Sequence, residues 1–344
     1  MHDLTLGARG KEASIAVDIN ARGQMAGIIE DEYGHQRAIL YDQRPVELGT
    51  LGGSEGFTRG INANGDVVGT AQNASGYWRA FMVRHGERMQ DVGTLGGNSS
   101  YGAAINNDGV VAGFSDTSDG YYRAFVSTPG GEPRDLGTLG GRISYAAGIN
   151  SDGAVVGTAA LANGYRHAFL SAPGGSMQDL GTLGGRVSSA SAISDNGVVV
   201  GASETPERRW HAFMWNKGKM VDLGALIGYG DSYATAVNNA GHVVGSIRIG
   251  DERRSFVYRD GKMTVHRGGY GLYLVNAIND QELVIGAYSV GNKFNAATMI
   301  SSQPAVATHG GQDLLGLIAL VLAVAAGVVV YRRRYRGIAL PLAI

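Results

Sequence analysis

The chain repeats itself seven times. An aliphatic residue followed by Asn, or a close variant, recurs at Ile19-Asn20, Ile61-Asn62, Ile105-Asn106, Ile149-Asn150, Ile193-Ser194, Val237-Asn238 and Ile278-Asn279. The four middle intervals, between Asn62 and Asn238, are 44 residues each, and the outer two are 42 and 41. A second marker, the Gly of Val-Val-Gly, keeps step at Gly27, Gly69, Gly113, Gly157, Gly201, Gly245 and Gly286. A fixed period of this length means a repeat architecture, in which each unit buries its apolar face against its neighbours. It also argues against an active site written in the repeated residues, because a catalytic constellation breaks symmetry.

The unit from Tyr145 to Leu183 shows what is being repeated. Tyr145–Ile149 is short and mostly small, and Asn150-Ser-Asp-Gly153 is a turn signal. Ala154–Thr158 is a β-branched run, and Leu161–Gly164 a polar connection. His167–Leu170 reads as a third strand, Ala172–Gly175 as another turn and Met177–Leu180 as a fourth strand. Four short strands per 44 residues, joined by tight turns, predict one blade of a β-propeller. The fold class is therefore all-β: a seven-bladed β-propeller over residues 1–300. Helical repeats would need Leu and Ala at helical spacing rather than Gly every few residues.

The ends of the array predict how the circle closes. The fourth-strand motif, Asp-Leu-Gly-Thr-Leu in full form, occurs at Asp3, Glu47, Asp91, Asp135, Asp179 and Asp222. The first copy precedes every other strand, and the seventh unit has no good copy at its end. Asp3–Leu6 would then complete the seventh blade and remove a free sheet edge. The alternative takes Ala305-Val-Ala307 as the last strand, in a chain that starts partway into a longer array.

Composition narrows the class further. Gly is 55 of 344 residues, about twice the usual share. It sits at fixed places in the repeat and is turn chemistry. There is no Cys, which excludes disulfides and thiolate metal sites and fits a bacterial envelope protein. The net charge is −1, and without Arg332, Arg333, Arg334 and Arg336 the rest holds 25 basic and 30 acidic residues. No nucleic-acid footprint is present.

Leu314 to Tyr331 is an uncharged run of 18 residues flanked by Asp313 and the Arg cluster. That length predicts a transmembrane helix over 314–331, a linker over 301–313 and a basic cytoplasmic tail over 332–344. The basic tail inside puts the propeller outside the cytoplasmic membrane. Met1-His2-Asp3-Leu4 has no signal-peptide pattern, so the expectation is an upstream segment missing from the chain. A cleaved sorting signal, cut near Gly310-Gly311, is a second version of the same tail.

The repeated residues resemble the HAF repeat family of probable extracellular repeats. The tripeptide is His167-Ala-Phe169 and His211-Ala-Phe213, and Asp-Leu-Gly-Thr-Leu-Gly-Gly stands at Asp135–Gly141 and Asp179–Gly185. The resemblance covers about residues 3 to 300 and implies a bacterial, exported, propeller-like protein and no reaction. Arg79 and Arg123 replace the His, and the last two units are degraded.

In propellers, the loop between strands two and three shares a face with the loop leading to the next blade, and binding commonly uses that face. The first loops carry Tyr77, Trp78 and Arg79; Tyr121, Tyr122 and Arg123; Tyr165, Arg166 and His167; and Trp210 and His211. The second carry Asn98–Tyr101, Arg142–Tyr145, Arg186–Ser188 and Asp231–Tyr233. Aromatic and Arg side chains at loop tips suit sugar rings or peptide side chains. The competing reading packs the aromatics between blades and solvates the Arg residues.

No catalytic residue, metal or cofactor is expected. Turns such as Asn106-Asn-Asp-Gly109 offer few oxygens and no bidentate Glu, so they read as hairpin turns and not calcium loops. Asp91, Asp135, Asp179 and Asp222 read as structural. The Gly-rich motif leads into a strand and lacks the helix N-terminus that would hold phosphate. The expected role is an anchored binding module for a glycan or an envelope protein. The alternatives are a hydrolase or lyase, with Glu204, Glu207, Asp251 and Glu252 as the nearest acidic candidates, or a purely structural envelope protein.

Overall fold

The Val-Val-Gly and HAF signatures are two halves of one packing unit. The structure is a computed structural model that describes residues 2–3, 13–266, 274–290 and 293–300. In the fourth blade the strands are Gly140–Ile149, Val155–Leu161, Arg166–Ser171 and Met177–Asp179. Gly157 of the second strand lies opposite Phe169 of the third. A Cβ on Gly157 would stand 2.0 Å from the Tyr145 carbonyl and 3.0 Å from the Phe169 ring. The Gly is required first because the carbonyl of the first strand stands where a Cβ would go, and then because the Phe ring lies over it. The pairs Gly69–Phe81, Gly113–Phe125, Gly201–Phe213 and Gly245–Phe256 repeat the arrangement. All five Phe side chains are fully buried, and each contributes about 1.5–3 kcal/mol by area.

The two Val residues before each Gly point to opposite faces of the sheet. Val155 packs with Ala112 and Ala124 of the third blade, while Val156 packs with Ala190, Val199 and Phe213 of the fifth. Each blade thus carries one apolar face per neighbour. Among the described residues there are seven such four-stranded antiparallel sheets and a single 3₁₀ turn, Gly224–Leu226. The protein is a seven-bladed β-propeller. First strands of neighbouring blades lie side by side, and the first blade meets the seventh as it meets the second.

Blade-to-blade hydrogen bonds follow the same repeat. The Asn of each Ile-Asn step holds its own hairpin with its oxygen and the next blade with its nitrogen. Asn62 Oδ1 accepts from Asn64 N and Asp66 N at 3.0 and 2.9 Å, while its Nδ2 donates to the Asn106 carbonyl at 2.9 Å. Equivalent links run from Asn20 to Asn62, from Asn106 to Asn150, from Asn150 to Ser194 and from Asn238 to Asn279. Asn279 donates to the Asn20 carbonyl at 3.1 Å, which carries the girdle across the junction of the chain's two ends. Ser194 is the one place in the series where the amide is lost. A second set of links uses Ser hydroxyls: the N–H of Ala80, Ala124, Ala168 and Ala212 donates to Ser100, Ser144, Ser188 and Ser232 of the following blade at 2.8–2.9 Å.

The N-terminus closes the circle. His2–Asp3 pairs with Lys293–Ile300 and is the fourth strand of the seventh sheet, with Asp3 opposite Ala297. Leu4–Leu6, which the motif also assigned to this strand, lie outside the described residues. So do Ala305–Ala307, the linker, Leu314–Tyr331 and the basic tail. No helix of the described residues is long and apolar enough to cross a membrane. The sixth blade has a fourth strand, Lys262–His266, that the motif did not mark. Val265 there faces Phe256, where the other blades place an acidic residue against Phe, Ile or, in the seventh, Ala297.

Candidate functional site

The turns between second and third strands are short hairpins. In each, the residue at one position closes the turn with its carbonyl: Tyr77 accepts from Asn73 N, Tyr121 from Thr117 N, Tyr165 from Leu161 N and Arg209 from Thr205 N. Three consecutive positions then follow one another in the second to fifth blades, and alternation along the strand gives them three different jobs.

The turn-closing residues face outward. Tyr77 is 46% exposed and Tyr165 is 39% exposed. The next position turns between the blades. Trp78 packs on Phe57, ring centroids 5.4 Å apart, in a cluster with Ile15, Val17 and Leu274. Tyr122 sits among Tyr101, Phe114 and Tyr145 at 5.8–6.1 Å. Trp210 stacks on Tyr233 at 6.2 Å. Arg166 occupies the same position and lies near the Tyr145 phenol. Burial raises that phenol's pKa, and the Arg166 charge partly offsets the rise.

The third position ties the third strand to the fourth. His167 Nδ1 lies 2.8 and 2.9 Å from the two Asp179 oxygens, and His211 Nδ1 lies 3.0 and 2.8 Å from those of Asp222. Arg79 Nε is 3.1 Å from Asp91, and Arg123 approaches Asp135 at 3.9 Å. The same carboxylates accept the N–H of Gly93, Gly137, Gly181 and Ala225 at the start of the next connection. The structural reading of these Asp residues holds, and it extends to their His and Arg partners. The HAF histidine and the Asp of the Gly-rich motif form one strut.

Two residues of the second set of loops complete the rim. Arg142 and Arg186 each follow the Gly-Gly that opens the next blade. The Arg142 guanidinium lies over the Tyr121 ring at 5.2 Å and donates to its hydroxyl. Arg186 lies over Tyr165 at 5.6 Å. Each contact contributes about 0.5–1 kcal/mol at an exposed site. The result is two equivalent ledges, flat and amphipathic, at successive blade junctions. The sequence placed these Arg residues on the right face, but the pairing needs the blade-to-blade register.

The Asn-x-Asp-Gly turns lie at the other end of the strands and are hairpins. Asn106 Oδ1 accepts from Asp108 N and Val110 N, so its oxygen is engaged by its own turn. Among the described residues no group of three or more His, Cys, Asp or Glu could hold a metal ion. Of the acidic candidates, Glu204 accepts Arg186 N–H at 2.7 Å and Glu252 pairs with Arg254 at 2.7 Å. Glu207 and Asp251 are exposed.

No protein-family model matches the chain, and no curated protein matches it. Solved structures do. The β-propeller domain of the Trilobed protease from Pyrococcus furiosus superposes with a TM-score of 0.59 at 10% identity, over 83% of this chain and 95% of that one. What the two share is the propeller. A puromycin-hydrolyzing peptidase from Mycobacterium tuberculosis gives 0.56 at 12% identity over 85% of this chain, which spans 52% of the peptidase. The BP39L lectin from Burkholderia pseudomallei gives 0.50 at 10% identity, over 85% of this chain and 96% of the lectin. The Pyrococcus domain is described as having an open velcro topology, whereas here the N-terminal strand completes the seventh sheet.

Proposed function

We propose that this chain is a HAF-repeat binding module that holds a glycan or a protein segment on the rim formed by the second-to-third-strand turns and the blade-to-blade loops. The observation behind this reading is the repeated ledge of Tyr121 with Arg142 and Tyr165 with Arg186. A tyrosine edge offers an apolar face and a hydroxyl, and the guanidinium beside it offers planar donors. The outward position carries these groups while its two neighbours in sequence are engaged in packing and struts. A propeller lectin and propeller-bearing peptidases share the architecture, which is compatible with the module and adds no residue to it.

The test is binding by the chain and by its Tyr121→Ala/Tyr165→Ala double variant, on a glycan array and in a pull-down from envelope extract. Loss of a ligand in the double variant, with melting unchanged, supports the rim. A ligand bound equally by both would remove the ledges from the function. The proposal includes anchoring through Leu314–Tyr331 with the propeller outside, so protease added to spheroplasts should remove the propeller and spare the tail. Protection of the propeller would invert that orientation.

A further inference from the structure

The sixth blade breaks the repeat on this same rim. The last second-strand residue paired across to the third strand, level with Gln72 and Trp78, is Glu30, Gln72, Asp116, Ala160 and Glu204 in the first five blades. Three of these side chains receive the incoming loop: Asp116 takes Ser99 N–H and Glu204 takes Arg186 N–H, each at 2.7 Å, and Gln72 takes Ser54 N–H at 3.4 Å. The sixth blade has Arg248 at this place. Its carboxylate has moved one strand inward, to Asp231, which lies directly opposite Arg248 in the register. Arg248 in turn lies opposite Arg253. Cross-strand partners share a sheet face, so Asp231, Arg248 and Arg253 form one row with two guanidinium groups to one carboxylate. Like charges directly opposite one another cost stability and opposite charges add to it, and the other blades carry no such row.

The row borders a shallow cleft. Arg209 comes from the fifth blade, where it takes the turn-closing place of the tyrosines. Arg209, Gly230, Asp231, Arg248 and Gly250 line an open cleft of about 170 Å³. Asp231 Oδ1 accepts Trp210 N–H at 3.1 Å, which holds the carboxylate at the cleft wall. Gly230 has a φ of +74°, and a Cβ there would stand 2.5 Å from the Arg248 carbonyl. That stretch of the lining is bare backbone by necessity. Two residues along the strand, Tyr233 stacks on Trp210, and burial first and the Asp231 charge second push its phenol up to about 12.

We infer that this cleft binds the carboxylate-bearing sugar of an acidic glycan, with Arg209 and Arg248 on the carboxylate and Asp231 on a ring hydroxyl. Planar guanidinium groups pair with carboxylates through two donors at once, and a fixed carboxylate beside them accepts from a hydroxyl. A uronic acid carries both groups on one ring. A phosphate backbone would meet Asp231, Glu204, Glu207 and Glu252 along the same rim, and binding by backbone charge needs a continuous basic track. The inference rests on the reading of the rim as a glycan surface and adds to it a place and a charge class.

The experiment titrates the 344-residue chain with trigalacturonate, free galacturonate, maltotriose, triglutamate and a single-stranded oligonucleotide. Arg248→Glu reverses the charge, and Arg248→Gln, the residue type of Gln72 at this position, removes it without setting a carboxylate opposite Asp231, so the two are read together beside a melt. Trigalacturonate should bind, should weaken as salt rises, and should lose roughly tenfold or more in Arg248→Glu. Free galacturonate binding with the same sensitivity would point to the single sugar as the unit recognised, and binding by the trimer alone to a polymer. Equal affinity for maltotriose, with no loss in Arg248→Glu, would overturn the charge class and leave the glycan rim standing. Preference for triglutamate or the oligonucleotide would overturn both readings, and so would silence toward every probe. Trigalacturonate binding lost in Tyr121→Ala/Tyr165→Ala but kept in Arg248→Glu would move the site off this cleft.

Discussion

The two ends of the strands are built to opposite rules. At the Asn-turn end, one side chain per blade uses its oxygen on its own hairpin and its nitrogen on the next blade, and the same solution recurs at Asn20, Asn62, Asn106, Asn150, Asn238 and Asn279. At the rim end, the equivalent outward position is Tyr77, Tyr121, Tyr165 or Arg209. Uniformity marks the end that holds the circle together. Variation marks the end where neighbouring repeats are free to differ, since the struts and interblade rings below already hold the sheets. A repeat protein can change its rim one blade at a time without disturbing closure, and the sixth blade has done so.

The sharpest way to break this contrast lies between the two ends. Phe169 is fully buried over Gly157, so Phe169→Ala should lower stability by about 3–5 kcal/mol. Trp78→Ala belongs with it despite its place at a loop tip, because the indole packs on Phe57, and about 3 kcal/mol is expected. Urea melts would read both. A Trp78→Ala variant as stable as wild type would return that residue to the solvent-facing set.

Much of this was legible in the sequence, and the gaps have physical causes. The 44-residue period, four strands per unit and closure by Asp3 follow from turn chemistry and spacing, which are local. The Asn turns were readable as hairpins, but only the nearness of the next blade shows what the amide nitrogen does. Trp78, Tyr122 and Trp210 could not be told from Tyr77, Tyr121 and Tyr165 by residue type. One step along a strand reverses the direction of the side chain, and the strand's start decides which is which. Arg142 and Arg186 are 21 residues from the tyrosines they cover, so their pairing exists only across the junction. The fourth strand of the sixth blade lacks the acidic marker and was invisible to a motif search.

The turn end has one charged deviation, and it should make stability depend on pH. Where other blades have Gly60, Ala104, Gly148, Ala192, Ala236 or Ala277, the first has Asp18, which accepts the N–H of Ile19 and of Ile61 in the next blade at 2.8 and 2.9 Å. Burial pushes its carboxyl up to about 6, against the lowering effect of those two hydrogen bonds, from an ordinary 3.8. The folded state therefore holds this proton more tightly than the unfolded chain. Its contribution is full below about pH 4 and declines as pH rises toward and past 6, by on the order of 1–3 kcal/mol. Asp18→Asn should flatten that slope in melts taken between pH 4 and 7. A wild-type slope of the opposite sign would show the carboxylate to be stabilised as an anion.

The girdle itself offers a loss and a gain of similar size. Asn62→Ala strands two turn N–H groups and one blade-to-blade bond, and about 1–3 kcal/mol should be lost. Ser194→Asn should do the reverse. It supplies the one missing amide within a turn of the same shape, where the repeat would direct it at the Asn238 carbonyl, and a gain of about 1 kcal/mol is expected. If Ser194→Asn is neutral while Asn62→Ala is costly, the oxygen half of the amide carries the girdle and the nitrogen half is incidental.

The smallest effect on stability is expected at the rim, and its smallness is what matters. Tyr121 and Tyr165 leave their aromatic edges to solvent, and each touches one guanidinium of the next blade. Tyr165→Ala removes an exposed ring and one guanidinium contact of about 0.5–1 kcal/mol, so the change should stay within about 1 kcal/mol. The same substitution one residue further along, at Trp210, meets a ring stacked on Tyr233 and should cost several times more. Two neighbouring turns, compared in the same denaturant melt, therefore separate a side chain held for packing from one held at the surface. If Tyr165→Ala costs as much as Trp210→Ala, the outward position is part of the core and the rim loses its claim to recognition. If it costs almost nothing, the ring has been kept at an exposed edge for a reason other than stability, and binding is then the property to measure.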